Sequence, residues 1–236
     1  VADFSAVGDG IANDATVIQS VIDRVEARGG GWVYFPKGTY RINTALSIDT
    51  AGVKIRGAGR GIAIIKNFGT TTNALTVNLG SAVDSKIIIE GIGITADTTS
   101  TGKAIEVVNG DKIVIRDVST ALHRTGIDTS AVSGSRVFDC EVESCDGDTA
   151  QIGIKLGARG RAELCEVTDS VDNGTGIDAN AADGRIVDCY VNNFATAAKL
   201  TGARSQARGC HANGSTTGYS LAVAPSIATE CHAASC

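Results

Sequence analysis

The chain has no methionine, two prolines, one tryptophan and an aromatic share of only 4 % in 236 residues. So little side-chain bulk excludes a thick two-layer core; the interior has to be narrow and lined with Val, Ile, Ala and Cys. No apolar run approaches the roughly 18 residues that a membrane-spanning helix needs, so membrane insertion is not expected. A strong charge of either sign is missing too. The net charge is −5 with both signs scattered along the chain, which argues against a duplex nucleic-acid partner, since phosphate binding needs a basic face.

Chemical signatures are equally sparse. No Cys-x-x-Cys pair, zinc-spaced histidines, Ser-His-Asp elbow or phosphate-binding loop occurs, so neither a metal nor a cofactor is expected. The stretch GAGRG at residues 57–61 is a turn that lacks a Lys-Ser/Thr partner and a following helix. Neither an initiator methionine nor a signal sequence leads the chain, since Val1 runs straight into a polar stretch. The expectation is that either an upstream segment has been removed or the chain is a piece excised from a larger protein.

Glycine, with 29 residues, and cysteine, with 7, are what the chain does have. Cys140, Cys165, Cys189, Cys210 and Cys231 recur at intervals of 25, 24, 21 and 21 residues, and Val118 and Ile92 extend the same slot backwards. A second register, ending at Glu106, Asp128, Lys155, Asp178, Lys199 and Ser220, recurs at intervals of 22, 27, 23, 21 and 21. Two registers drifting at one mean period identify stacked coils. At ~3.3 Å per residue each coil traces a perimeter of roughly 75 Å, and neighbouring coils stack ~4.8 Å apart. These spacings predict an all-β, right-handed parallel β-helix over residues 43–236, in about eight coils, and the missing Leu-x-x-Leu-x-Leu frame excludes a leucine-rich repeat.

Residues 1–42 read differently. Ile18, Val21, Ile22 and Val25 follow helical spacing, Asn13 or Asp14 offers an N-cap, and Gly29 to Gly31 supply a stop, so a capping helix over about 14–28 and a first strand are expected. A helix laid over the open end of the stack protects it from edge pairing and wetting. No second cap follows the last coil. A C-terminal continuation or a partner subunit, as in a homotrimer, is expected to cover it.

The run from Asp3 to Ile42, with its Asp-Phe-x-Ala-x-Gly-Asp-Gly opening, helical Ile-Gln, glycine triplet and Pro-x-Gly-x-Tyr, resembles the start of the pectate-lyase-like superfamily of right-handed parallel β-helices. That opening is similar in plant-polysaccharide hydrolases, alginate epimerases, and bacteriophage tailspikes and depolymerases. The chain lacks Asn-Thr-Asp, Asp-Asp, Gly-His-Gly, Arg-Ile-Lys and Asp-Pro-His-Glu. The resemblance therefore implies a β-helix that handles polysaccharide, but it transfers no catalytic residue.

Candidate residues come from the coil registers. The cysteines are expected to stack inward as buried thiols; Cys145 and Cys236, each five residues beyond a ladder cysteine, leave a local bridge open. The Glu106-to-Lys199 row, with mostly alternating charges one rung apart, reads as a structural ladder. Four residues before three of the cysteines stand Arg136, Arg161 and Arg185, like charges that either pair with local carboxylates or await uronate or sulfate groups on a glycan. One residue after each cysteine come Glu141, Glu166, Tyr190, His211 and His232; one before come Asp139, Leu164, Asp188, Gly209 and Glu230. Strand alternation would put both rows on one outer face, with Asp139 and Glu141 roughly 7 Å apart. Such carboxylate separations suit acid–base attack on a glycosidic link, with Glu141 as general acid, Glu166 as its partner, Asp139 and Asp188 nearby, and Tyr190 and His211 to hold sugar. A solvated acidic face is the competing reading. His123 and Arg124 are expected in a turn, where the pair is either simply exposed or serves as base and anion clamp in lyase chemistry.

Three functions are then open. The first is a polysaccharide-binding, glycan-degrading or purely recognising module of a bacteriophage-type spike or tail fibre, on the virion surface. The second is a free secreted lyase, hydrolase or epimerase acting on an acidic glycan, and the third a catalytically inert structural or carbohydrate-binding β-helix. All three lie outside the cell, and none involves nucleic acid.

Overall fold

The structure is a computed structural model and describes residues 5–80, 84–144, 151–170, 173–222 and 224–234. Each coil contributes up to three short strands, every pairing is parallel, and successive coils pair in register. The result is a right-handed parallel β-helix with one short helix at its N-terminal end.

Three sheets run the length of the stack. The first begins with Gly31–Phe35 and Val53–Gly57 and continues through Arg136–Phe138, Arg161–Glu163, Arg185–Val187 and Gln206–Arg208 to Ile227–Thr229. The second begins with Asp9–Asn13, Gly38–Ile42 and Ala63–Asn67 and includes Glu141–Ser144, Glu166–Thr168, Tyr190–Asn192, His211–Asn213 and His232–Ala234. The third begins with Leu46–Ile48 and Leu75–Asn78 and includes Ile152–Leu156, Thr175–Ala179, Thr196–Leu200 and Thr217–Leu221. Two long strands, Ile88–Asn109 and Val114–Thr129, pass through all three faces in turn.

Alternation sends one row of each strand inward. Val33, Ile55, Ile89, Ile115, Val137, Ala162, Ile186 and Ala207 form the buried row of the first sheet. The cysteine slot forms another. Ile92, Val118, Cys140, Cys165, Cys189 and Cys210 are all at most 2 % exposed, and backbone hydrogen bonds of 2.9 Å from Glu166, Tyr190 and His211 to the carbonyls of Cys140, Cys165 and Cys189 tie the slot rung to rung. Their Sγ atoms donate to carbonyls two residues back, as from Cys165 to Glu163 at 3.3 Å. Cys145 and Cys236 lie outside the described residues, so the local bridge left open above does too.

The capping helix spans Ala15–Glu26 and buries Ala15, Ile18, Val21 and Ile22 against the first strands of the stack. Asp14 stands at its N-cap, yet its carboxylate accepts from the Val7 and Gly8 amides at 2.8 and 3.0 Å instead of capping the helix. It thereby ties the leading segment down over the first coil.

Candidate functional site

A bend between the first and second sheets decides where the site residues go. Asp117, Asp139, Leu164, Asp188 and Glu230 all have φ between 50° and 53°, and Gly91 and Gly209 fill the same slot at 63° and 64°. One left-handed residue turns the chain sharply, and its amide still donates to the next coil, as from Asp139 to Glu163 at 3.0 Å. Asp139 and Asp188 are therefore corner residues, not members of the second-sheet strands. Strand alternation across the cysteine does not apply to them.

The row after the cysteine does stack as expected. Glu141, Glu166, Tyr190, His211 and His232 are consecutive partners on the outer face of the second sheet. A cavity of about 220 Å³ opens beside it, lined by Glu141, Val142, Glu143, Glu166 and Thr168. Further along, Tyr190 is 40 % exposed, and the His211 and His232 rings stack at 5.3 Å with 16° between planes. Asn213 donates to Asn192 at 3.1 Å beside them.

Arg60, in the GAGRG turn, is the residue that sequence reasoning missed. Its Nη2 lies 2.9 Å from Oε1 of Glu141, its Nη1 donates to the Asp139 carbonyl at 2.8 Å and sits 3.6 Å from that carboxylate, and its Nε is 3.7 Å from Asp117. One guanidinium thus gathers three carboxylates from two successive coils. Glu141 has a counter-charge; Glu166 has no ion pair among the described residues. Glu143, also unforeseen, brings a third glutamate to the cavity wall.

Arg136, Arg161 and Arg185 stack in register, but on the first sheet, across the bend from the glutamates. Glu163 takes Arg161 at 3.0 Å and Arg136 at 3.9 Å. The candidate residues therefore divide: Glu141, Glu166, Tyr190 and His211 share one row, the three arginines another, and Asp139 and Asp188 lie at the corner between.

The charged row of the third sheet is more buried than a surface ladder should be. Glu106, Asp128, Lys155, Asp178 and Lys199 are in-register partners, with Asp128 5 % and Asp178 6 % exposed. Local sequence explains the tightness. A Cβ at Gly153 or Gly176 would fall 2.2 Å from Val167 or Val191, so only glycine lets this strand close on the core. Burial works to raise the pKa of Asp128, but hydrogen bonds from Lys103 at 2.7 Å and from Ser130 outweigh it and hold the carboxyl below its ordinary value. For Asp178 burial wins: Lys199 and Lys155 oppose it, Asp128 reinforces it, and the carboxyl is pushed up. Oδ1 of Asp178 is buried without a hydrogen bond. Two carboxyls on one face are thereby driven in opposite directions, a separation that acid–base pairs use.

His123 is not in an exposed turn. It is fully buried, its Nδ1 lies 2.9 Å from the Ala121 carbonyl, and burial drives its pKa down to about 4. A neutral, enclosed imidazole on this strand is part of the packing.

Residues 1–223 match the family described as rhamnogalacturonase A/epimerase, pectate lyase-like. The chain belongs to this pectate-lyase-like family. It is 30 % identical over 203 residues to mannuronan C5-epimerase AlgE6 of Azotobacter vinelandii, a match covering 84 % of this chain and 22 % of that protein. Alginate lyase 7 of the same organism is 38 % identical over 98 residues, 39 % of this chain and 11 % of the lyase. The chain thus spans less than a quarter of either relative. Among solved structures, ORF18 of Geobacillus virus E2 superposes with a TM-score of 0.73 at 16 % identity, covering 98 % of this chain and 59 % of that one. The catalytic unit of an alpha-1,3-glucanase from Streptomyces thermodiastaticus superposes with a TM-score of 0.77 at 13 % identity, covering 99 % and 46 %. At such identities these two likenesses establish the shared fold alone.

Proposed function

We propose that this β-helix handles polysaccharide outside the cell, with the glycan lying along the helix axis over the second sheet. The supporting observation is the in-register row of Glu141, Glu166, Tyr190 and His211 beside an open cavity. Rungs ~4.8 Å apart on a rigid sheet hold such groups preorganised, at a repeat close to the length of a sugar residue. Tyr190 offers a ring for sugar stacking, and the glutamates offer acid–base chemistry. Arg60 pairs with Glu141 and not with Glu166, so the two members of the acid–base pair stand in different surroundings. Asp139 and Asp188 flank the groove from the corner.

The kinds of relative, a mannuronan epimerase and an alginate lyase, favour an acidic glycan as substrate. The likeness to a virus protein is compatible with a module of a spike or tail fibre that recognises bacterial surface glycan as a homotrimer on the virion surface. Replacing Glu141 and Glu166 together by Gln keeps shape and removes charge. Depolymerisation or epimerisation of a uronate glycan should fall by about 100-fold or more with the fold intact; an unchanged rate overturns this placement of the chemistry.

A second location is favoured by the opposed shifts of Asp128 and Asp178 on the third sheet. Asp178→Asn in the same assay separates the two. Loss of turnover there, with Glu141→Gln/Glu166→Gln silent, moves the acid–base pair to that face.

A further inference from the structure

The first sheet carries an unbalanced set of arginines. Arg136, Arg161 and Arg185 occupy one outward column on consecutive rungs; Arg159 and Arg204 project from turns on the same side, and Arg208 from the neighbouring column. Three carboxylates answer these six cations. Asp183 holds Arg204 through two bonds of 2.7 Å, Glu230 holds Arg208 at 2.9 Å, and Glu163 serves Arg161 and, at 3.9 Å, Arg136. Arg159 spends its guanidinium on the Ser133 hydroxyl at 3.0 and 3.2 Å, and Arg185 has no ion pair among the described residues. Against a chain charge of −5, cation excess on one face is a local arrangement rather than a reflection of composition.

Stacking like charges on neighbouring rungs is unfavourable unless something neutralises them. The surface is also shaped. One cavity of about 430 Å³ is lined by Gly134, Arg136, Arg159, Arg161, Asp183 and Arg185, and a second of about 180 Å³ shares Arg161 and Arg185 and extends to Gln206 and Arg208. The two share Arg161 and Arg185 and follow one another along the stacking direction as a trough, so a linear chain would meet the guanidinium groups of Arg136, Arg161 and Arg185 on three consecutive rungs, ~4.8 Å apart. Planar guanidinium forks match carboxylate and sulfate oxygens two at a time, which ammonium groups would not.

We propose that this trough is a second glycan-binding surface, distinct from the glutamate groove around the bend, and that it takes an acidic polysaccharide through its carboxylate or sulfate groups. The proposal rests on the polysaccharide function above for the kind of polymer, and on the arginine geometry for its charge. A chain held on the first sheet leaves the second sheet free, so the surface serves to retain polymer near the groove rather than to act on it.

The test is retention of the whole chain in affinity electrophoresis through gels containing polygalacturonate, dextran sulfate or neutral dextran. Wild type should be retarded by at least one acidic polymer and not by neutral dextran, and the preferred polymer tells carboxylate from sulfate recognition. Arg136→Gln/Arg161→Gln/Arg185→Gln should weaken retardation at least tenfold, Arg185→Gln alone should weaken it measurably, and the effect should shrink as salt is raised. Glu141→Gln/Glu166→Gln should still be retained, which keeps failure of the groove distinguishable from failure of the trough. Circular dichroism melts of each variant confirm the fold. Unchanged retention of the triple variant, equal retention by neutral dextran, no retention by either acidic polymer, or equally strong retention by single-stranded DNA each overturns the proposal.

Discussion

At the scale of single residues, buried polar groups make the sharpest statements. His123 is enclosed, and its folded pKa of about 4 lies below the ordinary 6.5. A group with a depressed folded pKa contributes stability that is whole above the unfolded value and lost as pH falls through the folded one. Folding should therefore weaken between pH 6.5 and about 4, by on the order of 2–4 kcal/mol from this residue alone. His123→Gln should flatten the stability profile in that window, as read by urea denaturation at a series of pH values. A variant whose profile keeps the same acid limb would place the effect elsewhere. Asp128 and Asp178 add opposite slopes at lower pH, because one carboxyl is favoured ionised by folding and the other protonated.

Elements are set by repetition of small geometric decisions. The left-handed corner occurs on rung after rung and accepts Gly, Asp, Glu and even Leu. Leu164 pays about 1 kcal/mol for a conformation that glycine adopts freely, and it is 51 % exposed, so little packing offsets that cost. Leu164→Gly should therefore leave stability unchanged or raise it by up to about 1 kcal/mol in denaturant titrations; a loss of more than that would mean the side chain packs in a way its exposure does not suggest. In the adjoining slot, Ile92 and Val118 fill the positions that cysteines occupy later. Cys165→Val should cost less than about 1.5 kcal/mol, whereas Cys165→Asp, an unpaired charge in the core, should prevent folding. Cys140, Cys165 and Cys189 should also resist alkylation until the protein unfolds, with rapid native labelling as the contrary result.

For the whole molecule, the stack makes each coil depend on its neighbours, and the candidate chemical groups are spread over faces rather than gathered in a cleft. The second sheet carries glutamates and rings, the first arginines, the third buried carboxyls and lysines. If the chain is the recognition part of a spike, three copies should associate around their long axes. Light scattering of the purified chain should then give three times the monomer mass of 24.0 kDa; a stable monomer would remove the trimeric reading while leaving the glycan proposals in place.

Much of this was legible in the amino-acid sequence because stacking forces chemically similar residues into the same slot. The cysteine period, the second register, the stacked arginines and the Glu141–Glu166–Tyr190–His211 row all follow from counting, since parallel in-register pairing turns a spacing in sequence into a neighbour in space. Amphipathic spacing likewise marked the capping helix. Three things were decided only by the tertiary structure. A single left-handed residue breaks the alternation and sends Asp139 and Asp188 to a corner, with the arginines on another face. Arg60 reaches Asp139 across 79 residues, a contact with no local signature because it depends on how far two coils are offset in the stack. Burial of His123, Asp128 and Asp178 depends on how closely glycine-bearing strands approach the core and on what surrounds each side chain, and solvent exposure is a property of that assembled surface, not of a repeat period.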